Sequence, residues 1–169
     1  MNLKIELKNR LRDAKRVAIL GIGSELRGDD AAGILVARYI GRAPSVTKKQ
    51  GFLRVFEGAT APENLTGEIK KFKPTHLVII DSADINEKVG VAKLIDPDKV
   101  SGFSSCTHSL PIKILVDYLA KSIGCEVAII GIQPGRLDFA SDISKEVKQT
   151  TRQVSKEIKD ALCIYKEKS

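Results

Sequence analysis

Three residues of this chain combine a chemically useful side chain with a telling position: Asp30, Asp81 and His108. Asp30 closes the glycine-rich segment Gly21-Ile22-Gly23-Ser24-Glu25-Leu26-Arg27-Gly28-Asp29-Asp30, which continues an apolar run from Val17. Asp81 ends the apolar run Leu77-Val78-Ile79-Ile80, and a carboxylate there is costly to desolvate unless something pairs with it. His108 lies in Ser104-Ser105-Cys106-Thr107-His108-Ser109-Leu110-Pro111. Two carboxylates and one imidazole suit a borderline divalent cation such as nickel or zinc, with coordination positions left open. The imidazole must be neutral to ligate, so such a site weakens on acidification.

Other chemistries fit the same segments less well. Gly21 and Gly23 begin like a dinucleotide-binding fingerprint, but Leu26 stands where the third glycine belongs. A pyrophosphate rests on the free N–H groups that open a helix. Asp29 and Asp30 occupy that opening, and each would repel a phosphate charge by about 4 kcal/mol at 4 Å and an effective dielectric near 20. Asp29 reads as the cap of the helix that follows, or as a group that supports Asp30 from behind. Cys106 lies two residues before His108, but a nucleophile and base so close along a loop seldom make a productive pair, and no G-x-S-x-G elbow is present. The second histidine, His76, precedes a buried strand at its amino end and reads as structural.

The elements that must position these residues follow from apolar spacing. Residues 16–23, 75–81 and 126–131 are short continuous apolar runs, the profile of strands buried on both faces. Residues 52–57 and 91–95 add two further strands. Helical spacing is predicted over 2–13, 30–42, from 61, 111–122 and 142–166, with Pro62 near one first turn. Strands alternating with helices imply right-handed crossovers: one α/β domain over 1–169, a mostly parallel twisted sheet of about five strands with helices on both faces. Ligands of such sheets bind beyond the carboxyl ends of the strands, where the strand order reverses. Asp30, Asp81 and His108 fall at such ends.

Composition narrows the class. In 169 residues, 43% are hydrophobic, too many for a disordered chain. The formal charge of +7 invites a nucleic-acid reading, but residues 1–16, with six basic and two acidic side chains, carry more than half of it. That basic segment reads as an amino-terminal helix over 1–15, extra to the α/β units that follow it, and no nucleic-acid partner is expected. No apolar stretch is long enough to cross a bilayer. The three cysteines form no CxxC, which argues against a disulfide framework or a structural zinc site and for a reducing cytoplasm.

Several motifs in chain order resemble the hydrogenase maturation endopeptidases, the hydrogenase-3 type above all. They are Gly21–Asp30, Glu57-Gly58-Ala59-Thr60-Ala61-Pro62-Glu63-Asn64, Ile80-Asp81, Ile95-Asp96-Pro97-Asp98, Thr107-His108-Ser109-Leu110-Pro111 and Gly131-Ile132-Gln133-Pro134. The resemblance spans about residues 16–165 and implies an α/β sandwich. It implies removal of a short C-terminal extension from the large subunit of a nickel–iron hydrogenase once nickel is inserted. By resemblance Asp30, Asp81 and His108 match the family's metal-contacting triad. The nickel is carried by the precursor as a recognition element, so none is expected as a resident cofactor. Gly58, Ala59 and Thr60 are expected to form a loop that the substrate tail approaches. Ser24 departs from the family, which commonly has Asn there. Two readings stand beside this one: a resident-metal hydrolase of small substrates, and a nucleotide-binding regulatory module.

Overall fold

The computed structural model describes residues 3–43, 51–96 and 112–163. In chain order these form α1 (Leu3–Arg10), β1 (Val17–Ile22), a 3-10 turn (Gly28–Ala31) running into α2 (Ala32–Gly41), and β2 (Leu53–Ala59). A second 3-10 turn (Pro62–Leu65) then leads into α3 (Thr66–Phe72), followed by β3 (His76–Ser82), β4 (Ala92–Ile95), α4 (Ile112–Ile123), β5 (Glu126–Ile132) and α5 (Lys145–Cys163). The five strands make one sheet in the order β2-β1-β3-β5-β4. The first four are parallel, and β4 pairs antiparallel with β5 at the edge. The fold expected from the apolar runs is the fold observed. Among the described residues no helix is long and apolar enough to cross a membrane.

Every residue of β1 and of β3 is buried, as continuous apolar runs require of strands covered on both faces. Alternation then sorts their side chains. Val17, Ile19, Val78 and Ile80 join α1, α2 and α5 in one core; Ala18, Leu20, Ile22, Leu77 and Ile79 join α3 and α4 in the other. At about 1.5–3 kcal/mol for each fully buried large aliphatic side chain, these two layers dominate the stability of the sheet. The predicted helix over 2–13 is shorter as an α-helix but holds the expected stripe: Leu7 and Leu11 are buried against the first core.

The chain runs from β1 outward to β2 and then returns to β3 on the other side of β1. The strand order therefore reverses between β1 and β3, and it is beyond the carboxyl ends at such a reversal that sheets of this kind bind ligands. Helix α2 presses directly on that point. A Cβ on Gly33 would lie 2.2 Å from the carbonyl oxygen of Ile80 and 2.3 Å from that of Ile22, so only glycine allows the approach. This contact seats the start of α2, and the acidic turn before it, over the ends of β1 and β3.

Candidate active site

Asp30 is fully buried in the turn that joins β1 to α2. Its carboxylate Oδ1 accepts a hydrogen bond from Ser82 Oγ at 3.2 Å, and Ser82 is the last residue of β3. Its backbone is equally fixed: the N–H donates to Arg27 O (3.1 Å) and the carbonyl accepts from Ser24 N (3.2 Å). Asp81 stands beside Ser82, 8% exposed, in register with Gly131 of β5. Alternation sets Ser82 on the α2 face and Asp81 on the face of Leu77 and Ile79, which α4 covers. The structure thus joins Asp30 to β3 through Ser82 and sets Asp81 next to that link, at the reversal point. His108 lies outside the described residues, in the segment between β4 and α4, as does Cys106. Among the described residues no three His, Cys, Asp or Glu side chains are grouped so as to hold a metal.

Asp29 does not serve as the helix cap. Residues 28–31 form a 3-10 turn, α2 opens only at Ala32, and Ala31 takes the cap position without a side-chain bond. The Asp29 carboxylate instead reaches across to the loop after β5. Oδ2 accepts from the N–H groups of Gly135 (2.8 Å) and Arg136 (3.0 Å), and Oδ1 accepts from Ser144 N (2.6 Å). Three backbone donors outcompete one cap bond for a fully buried carboxylate. Gly28 makes this crossing passable: it holds a φ of 53°, and a Cβ there would meet Ser141 Oγ at 2.5 Å and Arg136 O at 2.7 Å. Ser144 in turn accepts from Val147 N at 3.4 Å, capping α5, which therefore begins at Lys145 rather than at 142.

Two further holding points were not legible as site features. Gln133 Oε1 accepts from Ile85 N (2.8 Å) and Glu87 N (3.2 Å), fixing the loop that follows Asp81. The only hint was its place in the Gly131-Ile132-Gln133-Pro134 motif. Arg38 of α2 clamps Glu25, through two nitrogens at 2.5 and 3.0 Å, and Glu57 of β2 at 2.7 Å. The Arg38 guanidinium holds the Glu25 carboxyl below the ordinary carboxylate range, against a smaller opposing effect of burial. Gly58 uses its missing side chain internally, since a Cβ would lie 2.9 Å from Leu20 Cδ1 and 3.0 Å from Pro62 Cβ. Ala59 and Thr60 beside it are exposed.

His76 is placed as expected, at the opposite end of β3. It is buried, its Nδ1 lies 3.0 Å from Thr75 Oγ1, and its Nε2 is 3.6 Å from the Glu126 carboxylate.

Comparison with known proteins gives one consistent answer. The family model described as hydrogenase maturation protease, HycI, matches residues 40–161, a span that takes in positions 81 and 108 but not 30. A Methanocaldococcus jannaschii protein whose name places it among the hydrogenase maturation proteases is 41% identical over 150 residues, covering 86% of this chain and 88% of that one. The hydrogenase 3 maturation protease of Escherichia coli is 35% identical over 137 residues, covering 80% of this chain and 84% of its own length. The crystal structure of the [NiFe] hydrogenase maturation protease HycI from Thermococcus kodakarensis superposes with a TM-score of 0.81 at 29% identity, covering 93% of this chain and 98% of that one.

Proposed function

The chain belongs to the hydrogenase maturation protease family, and from that premise we propose that it removes the C-terminal extension of a nickel–iron hydrogenase large-subunit precursor after nickel insertion. Residues 1–169 act as one such domain, with α1 an amino-terminal addition, working in the cytoplasm on a protein substrate. The nickel arrives with the precursor. Asp30, Asp81 and His108 bind it through its open positions and so fix the scissile peptide beyond the carboxyl ends of β1 and β3. A water adds its oxygen to the scissile carbonyl carbon. The C–N bond breaks, and the departing amine takes the proton that the attacking water gives up. Ser82 keeps the Asp30 carboxylate oriented, and Asp29 keeps the turn that carries it in place.

The observation that carries this reading is the bond from Ser82 Oγ to Asp30 Oδ1. It sets one buried acid against the strand end that bears the other, at the point where such sheets bind ligands. A resident-metal hydrolase would use the same acids but keep its own ion. The test is incubation with nickel-loaded, uncleaved large subunit beside a nickel-free control, read by mass. The expected result is cleavage of the loaded precursor alone, lost in Asp81→Ala and in His108→Ala, whose unfolding midpoints stay near that of the parent. Near-normal cleavage by both variants would overturn the triad. A stoichiometric ion retained by the purified protein would favour the resident-metal reading.

A further inference from the structure

The two most exposed large apolar side chains among the described residues are Phe139, at 72%, and Leu26, at 63%. They are far apart in sequence and close in the fold. Leu26 lies in the loop after β1, and Phe139 in the loop after β5. The N–H of Ala140 donates to Leu26 O at 2.8 Å, that of Gly28 to Ser141 O at 3.1 Å, and that of Asp29 to Arg136 O at 2.8 Å. With the three donors whose bonds Asp29 accepts, these bonds tie the two loops together beside the carboxyl ends of β1 and β5. Ala140, directly after Phe139, holds a left-handed φ of 59°, a conformation that persists only where the surroundings enforce it. A third loop joins them. Val89, 41% exposed, follows β3 and packs on Gly135, whose added Cβ would lie 2.8 Å from Val89 Cγ2. The loops after β1, β3 and β5 thus each hold an apolar side chain out to water around the edge that bears Asp30 and Asp81.

We propose that Leu26, Val89 and Phe139 form a docking platform for the apolar surface of the precursor beside its C-terminal extension. The platform deepens the preceding reading and rests on it. Two arguments select this occupant. The platform is continuous with the edge where the scissile peptide must lie, so a protein held there covers both at once. Its size suits a transient contact: three such side chains offer roughly 300 Å², well short of the ~800 Å² per partner that a stable dimer of this chain would need.

The experiment is steady-state processing of the nickel-loaded precursor by the parent protein and by the double variant Leu26→Ser/Phe139→Ser, with unfolding midpoints and sedimentation velocity measured on both. The expected result is a KM raised about tenfold with kcat within a factor of about two, at an unchanged midpoint. An unchanged KM, or a loss confined to kcat, overturns the platform while leaving the peptidase reading intact. A parent protein that leaves the precursor uncut overturns that reading and the platform with it. A parent dimer that the double variant converts to monomer overturns the choice of occupant and assigns the patch to a second copy of the chain.

Discussion

The two ends of the central strands use the same kinds of side chain in opposite ways. At the amino end, His76 sits near an acid, but Glu126 is 70% exposed, and the polar groups satisfy local backbone. Thr75 Oγ1 accepts from the N–H groups of Lys15 (3.0 Å) and Arg16 (3.1 Å) and donates to Arg16 O (3.0 Å), stitching the entry of β1 to that of β3. At the carboxyl end the acids are enclosed: Asp29 and Asp30 are fully buried and Asp81 nearly so. Burying carboxylates costs several kcal/mol apiece unless partners offset it, and the fold supplies those partners from a hydroxyl and from loop backbone. A histidine near an acid is therefore no signature of a site. Buried acid beyond the strand ends, where the strand order reverses, is what supports the site proposed there, although Asp29 shows that such an acid can also serve the loops.

The largest effect expected from this contrast is on activity. Asp30→Asn should lower processing of the nickel-loaded precursor by on the order of 100-fold or more, whereas His76→Gln should leave it within about twofold. Comparable losses in both would erase the functional difference between the two ends. The next effect is on stability. Asp29→Ala leaves three loop N–H groups without their acceptor, and should cost about 3–5 kcal/mol in denaturant unfolding at unchanged m-value. Asp29→Asn keeps an acceptor oxygen and should recover part of that loss. A value below about 1 kcal/mol for the alanine variant would mean that the two loops do not depend on this carboxylate.

How far the sequence discloses these roles depends on the range of the interaction. Strands β1, β3 and β5 are local apolar runs, and a run can be read without knowing what covers it. The positions of Asp30 and Asp81 follow from the same runs, because a carboxylate that ends a buried strand is conspicuous in one dimension. Asp29 is the instructive failure. Its type and place favour a helix cap, a contact within four residues, yet its partners lie more than 100 residues further along the chain. Nothing local could rank three distant backbone donors above one near one. The bond from Ser82 to Asp30 hides for the same reason. Leu26 and Phe139 look like ordinary loop residues until the backbone bond between their loops is known. His108 lies outside the described residues, so its place in the triad rests on residue type, position in the sequence and the resemblance.

Smaller effects sharpen the contrast at its margins. Thr75→Val removes a side chain that serves only the amino end, and should cost about 1 kcal/mol of stability with processing unchanged, since water can reach the freed N–H groups.

The smallest expected effect belongs to Arg38, which ties the loop bearing Glu25 and Leu26 back to β2. Both carboxylates of the clamp are about half exposed, so the pairs are screened, and Arg38→Met should cost less than about 1 kcal/mol at neutral pH. The diagnostic feature is the pH dependence. Arg38 stays charged throughout, its own ionisation being pushed further up by the two acids. The Glu25 carboxyl titrates lower in the folded chain than its ordinary value of 4.5, so the unfolded chain binds its proton first. The stabilisation from this group is complete above about pH 5 and is lost as pH falls from about 4.5 through the lower folded-state value. The difference in unfolding free energy between parent and Arg38→Met should therefore stay flat from pH 7 to 5 and shrink below. A difference that grew on acidification would have the wrong sign for a carboxylate held down by an arginine, and would detach Glu25 from the clamp.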